Sequence, residues 1–264
     1  MSFLDRHRPG DPLVAPNAWD LGSARVLASL GFAALGTTSS GLGVAHGVRD
    51  GAVGCDAMLA NARAMAEATG LPVTVDLEDG YAPDPEGVRD TFGRARALGV
   101  AGASIEDWDG TRFRGVAEAT ERVATAIERV ATAIEACGDA VVLTARADNY
   151  FHGVEDLADT IARLQSFADA GAHVVYAPGL RRVEDVRAVV ASVGVPVNAL
   201  LVPGGPTVAE LAEAGVARIT VGGSFAFSAL GALAELATQL RDHGTLDGRL
   251  AALGKQAARD AFPA

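Results

Sequence analysis

The feature that most constrains this chain is an alternation repeated eight times. Short runs of Val, Leu, Ile and Ala recur at Leu13–Ala15, Phe32–Leu35, Val73–Val75, Val100–Ile105, Ala140–Thr144, Val174–Tyr176, Val195–Leu200 and Arg218–Val221. Each is followed by a longer segment that reads as a helix: Trp19–Leu30, Asp56–Thr69, Pro85–Leu98, Ala117–Ala136, Val154–Ala170, Val183–Val193, Thr207–Ala214 and Phe225–His243. Apolar runs without polar alternation suit strands covered on both faces, as in a parallel sheet. Gly31, Gly70 and Gly99 stand where helices are expected to stop. Eight such units with no linker predict a single α/β domain, a (β/α)8 TIM barrel over about 11–243. An extra C-terminal helix, about Leu246–Arg259, follows within 244–264. A doubly wound sheet is disfavoured because no Gly-x-Gly-x-x-Gly turn follows the first strand. The repeat of ERVATAI at 121–127 and 128–134 reads as a local duplication on an outer helix, since one heptad repeat is too short for a coiled coil.

In such barrels the chemistry sits at the C-terminal ends of the strands. Those ends read Asn17, Thr38–Gly41, Asp76 with Glu78, Glu106 with Asp107, Arg146 with Asp148, Tyr176, Asn198 and Gly222-Gly223. Residues i and i+2 of an extended chain point the same way, which would set Asp76 beside Glu78. Carboxylates that close call for a cation or a shared proton between them. Asp76, Glu78 and Glu106 on neighbouring strands make a hard-oxygen set suited to Mg²⁺ or Mn²⁺. The Arg146 fork matches a carboxylate, of a ligand or of Glu106 or Asp148. Ser39–Gly43 reads as a small-residue loop whose N–H groups could cradle an anion. Ordinary capping would equally explain Asn17, Asn198 and Ser224.

Net charge is −11, from 22 basic and 33 acidic residues, and no basic run occurs. That argues against a nucleic-acid partner, and an anionic substrate would need local cations to draw it in. Cys55 and Cys137 form neither a metal spacing nor a disulfide framework. Met1–Pro12 lacks the apolar centre of a signal peptide, and no run of about 18 apolar residues suggests a membrane span. A cytoplasmic protein is expected.

Several ordered segments carry a resemblance: PNAWD (16–20), GTTSSGLGVA (36–45), GVRD (47–50), VDLEDGY (75–81), GVAGASIEDWDG (99–110), TARADNY (144–150) and PVNAL (196–200). Together they resemble the isocitrate lyase / phosphoenolpyruvate mutase superfamily over roughly Asp11 to Ala229. The resemblance implies a (β/α)8 barrel using Mg²⁺ on 2-oxo acids or their precursors, through an enolate of a pyruvate-like unit. It implies metal-site roles for Asp76, Glu78 and Glu106, with Asp50 a further acid near the metal. It also implies that Ser40, Gly41 and Leu42 bind the substrate carboxylate and that Arg146 binds substrate, with Asn198 at the same rim. Glu78 departs from the Asp found in many members. The stretch after Glu106, Trp108–Arg114, has neither the Cys-Gly-His of the lyases nor the Lys-rich loop of the mutases, so no general acid or base is assigned there. Arg112 and Arg114 are the helpers that Arg146 could have toward a tricarboxylate. The expected activity is C–C cleavage or decarboxylation of an oxaloacetate-like 2-oxo acid. The alternatives are P–C bond hydrolysis or rearrangement of a phosphonopyruvate-type substrate, and a barrel that binds a 2-oxo acid without turning it over. A homotetramer, or at least a dimer, is expected, with the C-terminal helix crossing to a neighbour.

Overall fold

The computed structural model describes residues 2–131 and 141–263; Cys137 and the later part of the heptad repeat lie outside them. Eight parallel strands, β1 Leu13–Val14, β2 Leu35–Gly36, β3 Val73–Asp76, β4 Gly102–Glu106, β5 Val142–Arg146, β6 Val174–Tyr176, β7 Val197–Leu200 and β8 Arg218–Thr220, run in the order β1-β8-β7-β6-β5-β4-β3-β2. The remaining seam closes where Gly36 N–H donates to Pro16 O (3.0 Å) and Ala18 N–H donates to Gly36 O (2.8 Å). A Cβ at Gly36 would stand 2.7 Å from Asn17 Nδ2, so the approach of the two strands requires glycine. The architecture is the (β/α)8 barrel that the alternation predicts.

The helices are α1 Leu21–Ser29, α2 Ser39–His46, α3 Cys55–Thr69, α4 Pro85–Ala97, α5 Val116–Ala131, α6 Leu157–Asp169, α7 Val183–Ser192, α8 Val208–Glu213, α9 Ser224–His243 and α10 Gly248–Ala261. Side chains of Asp20, Asp84, Asp156 and Thr207 accept first-turn N–H groups, which fixes the starts of α1, α4, α6 and α8. α2 corrects the loop expected at 39–43. Thr38 caps it by accepting from Gly41 N–H, Gly47 ends it in a left-handed conformation, and buried Leu42 anchors it.

Outside the barrel wall, helix residues such as Met58, Met65, Phe92, Leu164 and Phe167 are fully buried against the strands. A smaller cluster joins Phe3 to Ala15, Ala34, Val142 and Val174. A short 3-10 turn, Leu4–Arg6, brings buried His7 back to Phe3. α10 packs on α1 of its own chain. α9 leaves an apolar face open, with Phe225, Phe227, Leu230, Leu233 and Leu240 exposed, and Leu253 of α10 is exposed as well. No helix among the described residues is long and apolar enough to cross a membrane.

Candidate active site

The sheet register assembles the site. Asp76 pairs with Ser104 across β3 and β4, Glu106 with Arg146 across β4 and β5, Arg146 with Tyr176 across β5 and β6, and Tyr176 with Asn198 across β6 and β7. Arg146 is the hub. Its Nη1 lies 3.0 Å from Asp76 Oδ1 and 2.9 Å from Glu106 Oε2. Its Nε and Nη2 donate to the two oxygens of Asp148, at 3.1 and 2.7 Å. The guanidinium also lies 5.5 Å from the Tyr176 ring centroid. A guanidinium has five N–H donors, and the bidentate fork expected for a ligand is engaged by Asp148 instead.

Asp76 Oδ2 accepts from Ser39 N–H (3.1 Å), and Asp76 Oδ1 also accepts from Ser104 Oγ (3.3 Å). Glu78 is not in extended chain, although its N–H still donates to Asp76 Oδ1 (3.4 Å). β3 ends at Asp76, and Glu78 and Tyr81 both take left-handed φ, 47° and 54°. Such conformations are costly for non-glycine residues and concentrate at functional sites. The turn sends Glu78 to the Tyr81 hydroxyl, which donates to Glu78 Oε1 at 2.8 Å.

Two adjoining cavities result. The larger, about 380 Å³, is lined by Asp76, Ser40, Tyr176, Asn198 and Arg218 among others. The smaller, about 320 Å³, is lined by Glu78, Tyr81, Glu106, Trp108 and His152. Arg146, Ser39 and exposed Asp50 border both. Burial holds Glu106 well above the usual carboxylate range and raises Glu78 to about 7.

Other expected residues fall differently. Ser40 lines the larger cavity, but Gly41 and Leu42 are buried in the first turn of α2, where their N–H groups go to Thr38 Oγ1 and Thr38 O. Asn198 is 2% exposed, donates to Thr220 Oγ1 (3.0 Å) and accepts from Arg218 Nε (3.0 Å). Arg114 is no ligand helper: it is buried, paired with Asp79 (2.8 Å) and Glu118 (2.6 Å). Asp107 is a support rather than a ligand: its Oδ1 accepts from Asp148 N–H (2.9 Å) and its Oδ2 pairs with Arg163 (3.0 Å). Asp148, read at the rim as a possible partner of Arg146, orients it. Two residues were missed. Arg218 was read only as a strand residue, although a basic residue opening an apolar barrel strand is itself a signal. His152, from the loop after β5, stacks on Trp108 at 4.1 Å and so brings an imidazole to a loop that has none of its own.

Among the described residues no three His, Cys, Asp or Glu side chains form a ready metal cage. The charge balance nevertheless fits a hard cation. Asp76, Glu106 and Asp148 share one guanidinium, Glu78 is raised by burial nearby, and every donor is a carboxylate oxygen. Mg²⁺ usually takes one or two carboxylates and keeps its waters, so it needs no closed cage. Asp76, Glu78 and Glu106 are the residues that would hold it, with Asp50 at the mouth.

Comparison with known proteins gives a consistent result. The family model for phosphoenolpyruvate phosphomutase matches residues 3–241. An uncharacterized protein of Mycobacterium tuberculosis H37Rv is 35% identical over 226 residues, covering 84% of this chain and 82% of that one. A Burkholderia cenocepacia J2315 structure, whose assignment as a lyase/mutase is itself provisional, superposes with a TM-score of 0.87 at 40% identity, covering 99% of this chain and 91% of that one. Oxaloacetate acetylhydrolase in complex with oxalate gives a TM-score of 0.82 at 27% identity, covering 96% and 89%. With the barrel, its acid-rich rim and a match over most of its length, this chain belongs to the phosphoenolpyruvate phosphomutase family.

Proposed function

We propose that this chain is a Mg²⁺-dependent enzyme that breaks a C–C bond of a 2-oxo acid, by scission or decarboxylation, with oxaloacetate as the representative substrate. The observation that carries this reading is the Arg146 cluster: one buried guanidinium set among Asp76, Glu106 and Asp148 at the mouth of a closed barrel. Mg²⁺ (or Mn²⁺) held by Asp76, Glu78 and Glu106 would supply Lewis-acid charge to the oxygens of a 2-oxo carboxylate. Asp148 locks the orientation of Arg146, so the guanidinium meets a ligand in one fixed pose. Ser39 and Ser40 border the same space and offer polar contacts.

Loss of a carboxyl group as CO₂ needs no base, whereas a retro-aldol cleavage needs one for the departing hydroxyl. In either case the carbon that keeps the electron pair must take a proton. His152 and the Tyr81–Glu78 pair face the smaller cavity and are the groups able to deliver it. The base for a departing hydroxyl is a separate need, and the loop 107–114 has no Cys or His to meet it, which disfavours cleavage of isocitrate and 2-methylisocitrate. The oxaloacetate-processing neighbour supports the substrate class.

The test is steady-state turnover of oxaloacetate with Mg²⁺ and with EDTA, alongside phosphate release from phosphonopyruvate. Metal-dependent oxaloacetate turnover is expected. Phosphate release instead would move the reaction to P–C chemistry, and tight binding without turnover of either compound would make the chain a binding protein.

A further inference from the structure

Arg218, at the start of β8, lines the larger cavity and is 3% exposed. Its Nε donates to Asn198 Oδ1 (3.0 Å), its Nη2 donates to Thr144 Oγ1 (2.9 Å), and its Nη1 lies 3.3 Å from His7 Nε2. A guanidinium only donates, so His7 Nε2 is the acceptor and the ring proton is on Nδ1, 3.0 Å from Phe3 O. Burial keeps His7 neutral, with a pKa of about 4. All the hydrogen-bond partners of Arg218 among the described residues are therefore neutral.

The two cations of this cavity thus differ in kind. Arg146 is balanced by three carboxylates. Arg218 is a buried positive charge with no carboxylate partner among the described residues. Burial lowers its pKa only to about 10, so it stays charged at neutral pH. Two of its five N–H donors remain unassigned by the bonds above. Buried charges are ordinarily paired, and this one lines the space a ligand would enter.

We propose that Arg218 is the anion-binding floor of the site, and that it takes one carboxylate of a dicarboxylic 2-oxo acid; the substrate class rests on the reading above. Thr144, which accepts from Arg218, lies two residues before Arg146 on the same face of β5. That step is about 6.6 Å along a strand, comparable with the length of a four-carbon diacid. The carboxylate at the floor is one the reaction keeps, because its loss as CO₂ would strip Arg218 of its counter-ion. Arg218 is a binding residue that sets preference for dianions over monoanions.

Calorimetry with malonate in EDTA tests this. Wild type should bind malonate, Arg218→Gln should weaken binding at least about tenfold, and Arg218→Lys, which keeps the charge but not the fork, should weaken it less than Arg218→Gln. Equal affinity in wild type and a folded Arg218→Gln would overturn the proposal. Because Arg218 also ties β5, β7 and the N-terminal turn together, a wild-type crystal soaked in malonate gives a second measurement. One malonate carboxylate should lie against the Arg218 guanidinium; malonate only at the rim, or none in the cavity, would overturn the proposal. A wild-type chain inert toward oxaloacetate that still holds malonate on Arg218 would refute the reaction and leave the floor site standing.

Discussion

Replacing Arg146 by methionine keeps most of the side chain's apolar length and removes its charge. It leaves Asp76, Glu106 and Asp148 without the cation they share, at side-chain exposures of 14%, 12% and 1%. Removing one partner of a buried ion pair costs about 3–5 kcal/mol. For a domain of this size roughly 2–4 °C of Tm is lost per kcal/mol, so a fall of about 6–20 °C is expected. The carboxylates can escape part of this cost by binding protons. Burial already raises Glu106 and Asp148 above the usual carboxylate range. A carboxylate raised in the folded state binds more protons there than in the unfolded chain, so its contribution to stability falls as pH rises. The variant should therefore be hit hardest near about pH 8 and recover toward about pH 5, with a steeper pH slope than wild type. Thermal melts followed by circular dichroism in EDTA across that range measure it. A loss under about 3 °C that does not change with pH would show that these acids do not depend on Arg146 for their charge balance.

Calorimetry should show Mg²⁺ binding to wild type that Asp76→Ala abolishes; unchanged binding in that variant would remove the metal site from these strand ends. Burial lifts Glu78 to about 7, so the metal-free chain should lose stability as pH rises from the ordinary carboxylate range through about 7, while Mg²⁺ affinity climbs over the same window. Glu78→Gln should flatten both trends, and a pH-independent Mg²⁺ affinity in wild type would exclude Glu78 as a ligand. Under identical Mg²⁺, kcat/KM for oxaloacetate should exceed that for 2-methylisocitrate by about 10²–10⁴, the usual worth of a missing general base; faster turnover of the tricarboxylate would mean that another residue takes the proton of the departing hydroxyl. The exposed apolar face of α9 calls for a cover, and light scattering is expected to report a homotetramer, or at least a dimer; a monomer would return this face to solvent.

The barrel was legible because strand and helix periodicities are local. Runs such as Val141–Thr144 and caps such as Asp84-Pro85 carry their signal within a few residues. The strand-end rule points to Asp76, Glu106 and Arg146 from position alone, and the register sets Glu106 beside Arg146, whereas Asn198 lies lower, beside Arg218. What local pattern could not decide was direction and partnership. An α2 helix hid in a Ser/Gly run because its cap at Thr38 and its anchor at Leu42 depend on packing. Glu78 took the Tyr81 hydroxyl as its partner because the backbone turns left-handed where β3 ends. Arg146 turned its fork on Asp148, and Arg114 was absorbed by Asp79 and Glu118. Whether a cation is satisfied depends on residues far away in sequence. The floor arginine gathers Thr144, Asn198 and His7, separated from Arg218 by 74, 20 and 211 positions. Periodicity determines which elements form and which face of each is apolar; only closure of the barrel brings their side chains close enough for charge and hydrogen bonding to assign each one a partner.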